Sequence, residues 1–239
     1  MTGRAASAAA INRDLRRQAD PKDAKFLQGF FKTGPGEYGE GDVFLGIRVP
    51  ATRKLVAQYR DSDLTEIGKL LQSRFHEARL LALLILVYRF RRGDARTRRD
   101  VYGLYQSHLK WVNNWDLVDG SAEHIVGGHL VNRSRRPLYQ LARSPNVWRR
   151  RIAIMATFHF IRQGEFGETL DLADVLLNDE HDLIHKAAGW MLREVGKRNR
   201  KAEEAFLEQH YRTMPRTMLR YAIERFPEQR RKAYLKGSL

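Results

Sequence analysis

Helical periodicity, sustained along almost the whole chain, is the feature that most limits its fold. Apolar residues recur at helical spacing over roughly 5–19, 22–31, 50–60, 63–72, 75–92, 95–110, 114–131, 136–143, 146–163, 166–178, 182–198, 201–212, 214–225 and 227–235. Strand-type alternation is almost nowhere, and seven prolines in 239 residues leave room for long helices. The expectation is an all-α chain. Acceptor side chains stand where the first amides of helices need partners: Asp63, Asp94, Asn114 and Asp182. One segment departs from the pattern. Lys32 to Asp42, KTGPGEYGEGD, holds four glycines and one proline and is expected to be a loop, either a plain connection or a flap beside a ligand.

The apolar helices share a frame. RFHEARLLALLIL at 74–86, VWRRRIAIMATF at 147–158 and LIHKAAGWMLREV at 183–195 superpose when Leu83, Met155 and Met191 are aligned, at offsets of 72 and 36 residues. The NNWDLVDG segment enters the same frame with Asp119 lying 36 residues beyond Leu83. A repeat of that length built of helix pairs is the mark of an α-solenoid, somewhat shorter than a HEAT unit. The frame gives Trp115 and Arg151 equivalent positions in adjacent units.

Lys and Arg number 43 against 28 Asp and Glu, a formal net charge of +15. The absence of cysteine excludes a disulfide framework, a thiolate nucleophile and a Cys-ligated metal. The longest apolar run, Leu80 to Tyr88, spans nine residues, far below the roughly 20 of a membrane helix, and the start of the chain has no hydrophobic signal core. A basic chain without a membrane segment points to a nucleic-acid backbone or an anionic membrane surface. His76, His124, His129, His159, His181 and His185 lack metal-ligand spacing with carboxylates, apart from His181 and His185 at i, i+4, which have no zincin glutamate between them, and GPGEYGEG lacks the ending of a phosphate-binding loop, so neither metal nor cofactor is expected. The length fits a single domain over 1–239, with 32–42 as its glycine-rich loop and 227–239 as a C-terminal helix or tail.

Four segments carry a resemblance. FLGIRVPATRKL at 44–55, WVNNWDLVD at 111–119, NVWRRRIAI at 146–154 and KAAGWMLREVGK at 186–197 are similar, in order and spacing, to the AlkD-type DNA alkylation-repair glycosylases. The similarity spans roughly 26–226. It implies a curved stack of HEAT-like repeats with a concave basic face, a monofunctional glycosylase activity on cationic N3- or N7-alkylated purines in duplex DNA, and catalysis with the modified base still stacked. Carried over by motif, the catalytic carboxylate falls on Asp119, the cleft tryptophans on Trp115 and Trp190, and the phosphate-binding arginine on Arg151. Arg53 falls where the family approaches the DNA backbone, and Phe30 near an aromatic position of the N-terminal helices. The loop 32–42 is longer than in shorter family members.

The residue chemistry agrees with that reading. Trp115 and Asp119, four apart on a predicted helix, project from one face. Hydrolysis of an N-glycosidic bond passes through an oxocarbenium-like sugar that a fixed carboxylate stabilises while orienting water. A base already cationic departs neutral without an acid, so one carboxylate suffices. Indole faces attract cations. Taken singly, each residue has a duller role: Trp115 and Trp190 in a core, Asp119 as a paired surface acid, Arg151 as a solvated charge. Arg149, Arg150, Lys186 and Arg193 are expected to track phosphates with Arg53, among basic residues spread over successive helices. No lysine stands within the motifs as a Schiff-base nucleophile. The expected partner is duplex DNA bearing alkylated bases, and the chain is expected to be monomeric and cytoplasmic, associated with the nucleoid in a bacterium. The alternatives are a non-catalytic repeat protein binding branched or distorted DNA, and a protein-binding scaffold, which leaves the charge without a role.

Overall fold

The computed structural model describes residues 5–239, so the first four residues of the expected domain lie outside the described part. The chain divides into two compact units, Met1–Ile125 and Val126–Leu239, and the division falls inside a π-helical turn at Glu123–Gly127. Among the described residues the architecture is all-α. The extended pairing is confined to an isolated bridge between Val43 and Phe75.

The first unit holds α1 (Ala8–Arg17), α2 (Pro21–Phe30), α3 (Val49–Tyr59), α4 (Leu64–Leu71), α5 (His76–Arg92), α6 (Ala95–Ser107) and the short α7 (Trp115–Asp119). Its centre is α5, which carries the nine-residue apolar run, where Leu81, Ala82, Ile85 and Leu86 are fully buried. The second unit holds α8 (Gly128–Leu130), α9 (Arg136–Ala142), α10 (Val147–Ala156), α11 (Phe158–Arg162), α12 (Gly167–Val175), α13 (Asp182–Gly196), α14 (Arg200–His210), α15 (Arg216–Ala222) and α16 (Glu228–Lys236). Here α10 and α13 supply the core. Gly189 permits α13 to lie against α15, because a Cβ there would sit 2.4 Å from the carbonyl oxygen of Met218.

The repeat is visible in where five of the helices begin. α5, α7, α10, α13 and α15 start at residues 76, 115, 147, 182 and 216, so successive starts lie 32–39 residues apart, close to the 36 expected. The variation comes from the connections. Asp94 and Asn114 cap their helices as expected, accepting from Thr97 N and Trp115 N at 2.8 Å each. Asp63 makes no capping bond to α4, and the cap of α13 is His181, which accepts from Leu183 N, while Asp182 becomes the first helical residue and pairs with Lys186. The helix expected over 114–131 stops at Asp119 and resumes through the π turn. The one expected over 146–163 breaks at Thr157, whose buried hydroxyl bonds back to the Ile154 carbonyl and competes with the backbone ladder. Residues 32–42 form the expected loop, a succession of turns that ends at Asp42, only 4% exposed.

Candidate active site

The site is built on a carboxylate out of reach of solvent. Glu77, in the first turn of α5, accepts hydrogen bonds from three successive amides, Leu45, Gly46 and Ile47, at 2.8–3.2 Å. An ionised carboxylate held by several N–H donors offsets much of its desolvation. Gly46 has φ of +87° and a Cβ there would sit 2.1 Å from the Asp20 carbonyl oxygen, so only glycine fits. The F-L-G-I portion of the first motif is therefore a backbone cradle for Glu77. It delivers Arg48, Val49 and Arg53, at the start of α3, to the rim of a cleft.

Beside this cradle runs a chain of alternating charge. Asp42, at the end of the glycine-rich loop, accepts from Arg79 Nη2 at 2.5 Å, Asn113 Nδ2 at 3.1 Å and Asn114 Nδ2 at 3.0 Å. Its Oδ2 also faces His76 Nδ1 at 3.1 Å, and His76 Nε2 faces Asp116 Oδ2 at 2.8 Å. Burial of His76 opposes its protonation, yet the charge and hydrogen bonds of the two carboxylates prevail and raise its pKa to about 9, against a smaller opposing effect of Arg79. Burial likewise works against ionised Asp42, but His76, Arg79 and Asn114 hold it down to about 2. Both imidazole nitrogens are thus donors, an arrangement for an imidazolium and not for a metal ligand.

Stacked rings cover this chain. The imidazole of His76 lies 4.5 Å from the Phe44 ring at 24°, Phe31 stacks on Phe44 at 4.9 Å, and the indole of Trp115 stacks on Phe31 at 5.2 Å. Phe30 meets Trp115 edge-on at 6.1 Å. Together these elements wall a cleft of about 520 Å³ in the first unit. Its lining is mostly apolar, with Asp116, Asp119, Arg48 and Arg53 as the charged groups nearest solvent. Phe30 is 54% exposed at its edge.

Four residues named from sequence, Phe30, Arg53, Trp115 and Asp119, therefore line one cleft. The others belong to the second unit. Trp190 is half-buried on α13, its Nε1 donating to Glu194 Oε1 at 3.3 Å and its ring 6.3 Å from Phe158. Arg151 is 5% exposed and donates through Nη1 to the Leu183 carbonyl at 2.5 Å. Arg150 is committed to Asp179 through two nitrogens and to the Ser144 and Pro145 carbonyls through a third. Arg193 pairs with Glu224, Lys186 with Asp182, and Arg149 is exposed. Sequence reasoning did not assemble Asp42, His76, Glu77 and Asp116. A usable signal existed, since His76 and Glu77 open the helix that carries the longest apolar run of the chain; their partners lie 30–40 residues away and follow no spacing.

Known proteins fit this picture. Residues 11–226 match the family described as "DNA alkylation repair enzyme". A solved structure, a predicted DNA alkylation repair enzyme from Enterococcus faecalis, superposes with a TM-score of 0.68 at 18% identity, covering 88% of this chain and 97% of that one. No curated protein matches. With the family pattern spanning all but the two ends, the chain belongs to the DNA alkylation repair enzyme family.

Proposed function

We propose that this repair protein is a monofunctional DNA glycosylase that removes cationic N3- or N7-alkylated purines from duplex DNA and leaves an abasic site. The observation that carries the reading is the joint presence of Trp115 and Asp119 in one largely apolar cleft. A carboxylate in such surroundings acts on positive charge far more strongly than in water. As the glycosidic bond breaks, its electron pair leaves with the alkylated base, which becomes neutral. The sugar is left as an oxocarbenium ion facing Asp119. Water adds to the anomeric carbon and gives up its proton to the Asp119 carboxylate. The indole of Trp115 packs against the sugar. Among the described residues no lysine lines the cleft. For Trp190 and Arg151 the proposal rests on the motif resemblance alone, as a sugar-contacting tryptophan and a phosphate ligand, and Arg53 and Phe30 are assigned to the DNA flanking the cleft.

The test is release of free 3- and 7-methylpurines from methylated duplex by the wild type and by Asp119→Asn. Release by the wild type above the spontaneous rate, and a loss of about a hundredfold or more in the variant, are expected from removal of a transition-state electrostatic contact. A wild type that binds duplex without releasing base supports the non-catalytic reading instead. Equal release by both proteins removes Asp119 from the mechanism.

A further inference from the structure

Besides Asp119 and the buried Glu77, the cleft holds a third carboxylate. Asp116 lies three residues before Asp119 on α7, lines the same cavity, and keeps 14% of its side chain exposed there. Both of its oxygens are tied down on the protein side: Oδ1 accepts from Leu117 N at 2.9 Å and Oδ2 from His76 at 2.8 Å. Behind His76 stand Asp42 and then Arg79, 2% and 3% exposed at the side chain. The chain thus alternates in sign from a buried arginine outward and ends with a negative group at the cleft surface. A network serving only to hold the fold together has no need to end there. An aspartate serving only as the first-turn acceptor of α7 has no need of a buried imidazolium behind it. The charged groups around the imidazole are Asp42 from the loop, Arg79 from its own helix and Asp116 from α7, with Glu77 and Asp119 lining the same cleft.

We propose that Asp116 is a second anionic contact for the cationic substrate, with His76 as the positioning residue that fixes its carboxylate. The inference rests on the glycosylase reading and adds to it a specificity determinant. Two carboxylates one helical turn apart form a site for a positive charge spread over a base and its sugar, and they gain no such attraction from the uncharged base and sugar of an undamaged nucleotide. Asp119 then faces the anomeric carbon and the water, while Asp116 sets how strongly the cleft prefers a cation.

The test separates binding of charge from catalysis. Duplexes carrying a pyrrolidine, which is cationic, or a tetrahydrofuran, which is neutral, in place of one nucleotide are titrated against the wild type, Asp116→Asn and His76→Gln. The wild type is expected to prefer the pyrrolidine duplex, and Asp116→Asn to lose about tenfold to a hundredfold of that preference, as for a hydrogen bond to a charged group. Affinity for the tetrahydrofuran duplex is expected to stay unchanged in both variants, a readout that mere loosening of α7 would not leave intact. His76→Gln is expected to lose a smaller part of the preference. If the wild type prefers the cation and Asp116→Asn keeps the full preference, this proposal is overturned while the role of Asp119 stands. If the wild type shows no preference, the cationic-lesion reading itself falls, and the two failures are distinguishable.

Discussion

The indole of Trp115 lies nearly parallel to the ring of Phe31, with planes 15° apart and centroids 5.2 Å apart. Phe31 is in turn 7% exposed and packed on Phe44, so one face of the cleft tryptophan is set by a column of buried rings that ends at His76. Offset stacking of this kind adds about 0.5–1.5 kcal/mol beyond area burial. The orientation of the indole is therefore decided from beneath.

Removing that support has a measurable cost. Phe31→Ala is expected to lower stability by about 3–5 kcal/mol, the usual effect of deleting a buried phenyl ring. Phe30→Ala, at a ring 54% exposed, is expected to stay within about 0.5 kcal/mol. Urea denaturation checks both. Equal effects would mean that Phe31 is no more a support for Trp115 than the surface ring beside it.

The backbone cradle gives a sharper test. Gly46→Ala adds a methyl group 2.1 Å from the Asp20 carbonyl oxygen at φ of +87°, whereas Gly36, also at positive φ, has nothing within 4 Å. The substitution at Gly36 is expected to cost about 1–2 kcal/mol, the left-handed penalty alone. At position 46 the cost includes displacement of the amides that hold Glu77, and the variant is expected to lose several times as much. Thermal melting of the two proteins side by side decides it.

What is legible in the sequence divides from what is not by the range of the signal. Periodicity places both ends of α5 and α13 and the start of α10 within a residue or two, because an apolar face is written locally every three or four residues; the early end of α10 at Ala156 follows from the break at Thr157. The Trp115 and Asp119 pair is legible for the same reason, both lying on one turn. The segment 32–42 reads as a loop from its glycines, but its anchoring role does not, since Asp42 works through His76, Arg79, Asn113 and Asn114, all more than 30 residues distant. Arg150 shows the same limit of range: its place in a basic triplet is local, whereas its partner Asp179 reaches it from before α13.

Stability is expected to fall on the alkaline side in two stages. Burial raises the Glu203 carboxyl from 4.5 to about 8 despite Arg200, and His76 is raised from 6.5 to about 9. Both shifts are upward, so each contributes stability that is complete below the unfolded value and lost as pH rises through the folded one. The windows are 4.5–8 for Glu203 and 6.5–9 for His76. Asp42, lowered from 3.8 to about 2, has the opposite sign and weakens the fold only as pH drops through that range. Glu203→Gln removes the first alkaline stage. Melting temperature followed from pH 5 to 10 is expected to show the variant gaining on the wild type up to about pH 8 and running parallel to it above, a gain on the order of a few kcal/mol. Parallel curves throughout would show that Glu203 titrates normally.

The adjacent arginines Arg149 and Arg150 separate DNA contact from fold. Arg150 is 18% exposed at the side chain and ties α10 to Asp179, itself 5% exposed, so Arg150→Ala strands a buried carboxylate and is expected to cost about 3 kcal/mol. Arg149 is exposed, and its backbone amide, with that of Trp148, donates to the Asn146 side chain that caps α10. On the proposed reading that the basic chain grips a duplex, deleting one cation that neutralises a phosphate flattens the dependence of log Kd on log salt by about 0.9. Arg149→Ala is therefore expected to leave melting unchanged within about 0.5 kcal/mol and to flatten the salt slope by about that amount. Arg150→Ala is expected to lower the melting temperature while leaving the slope of the folded protein as it was. Binding isotherms on one duplex at several salt concentrations, taken below the melting temperature of either variant, distinguish the two. A reduced slope in Arg150→Ala would return that guanidinium to the DNA surface.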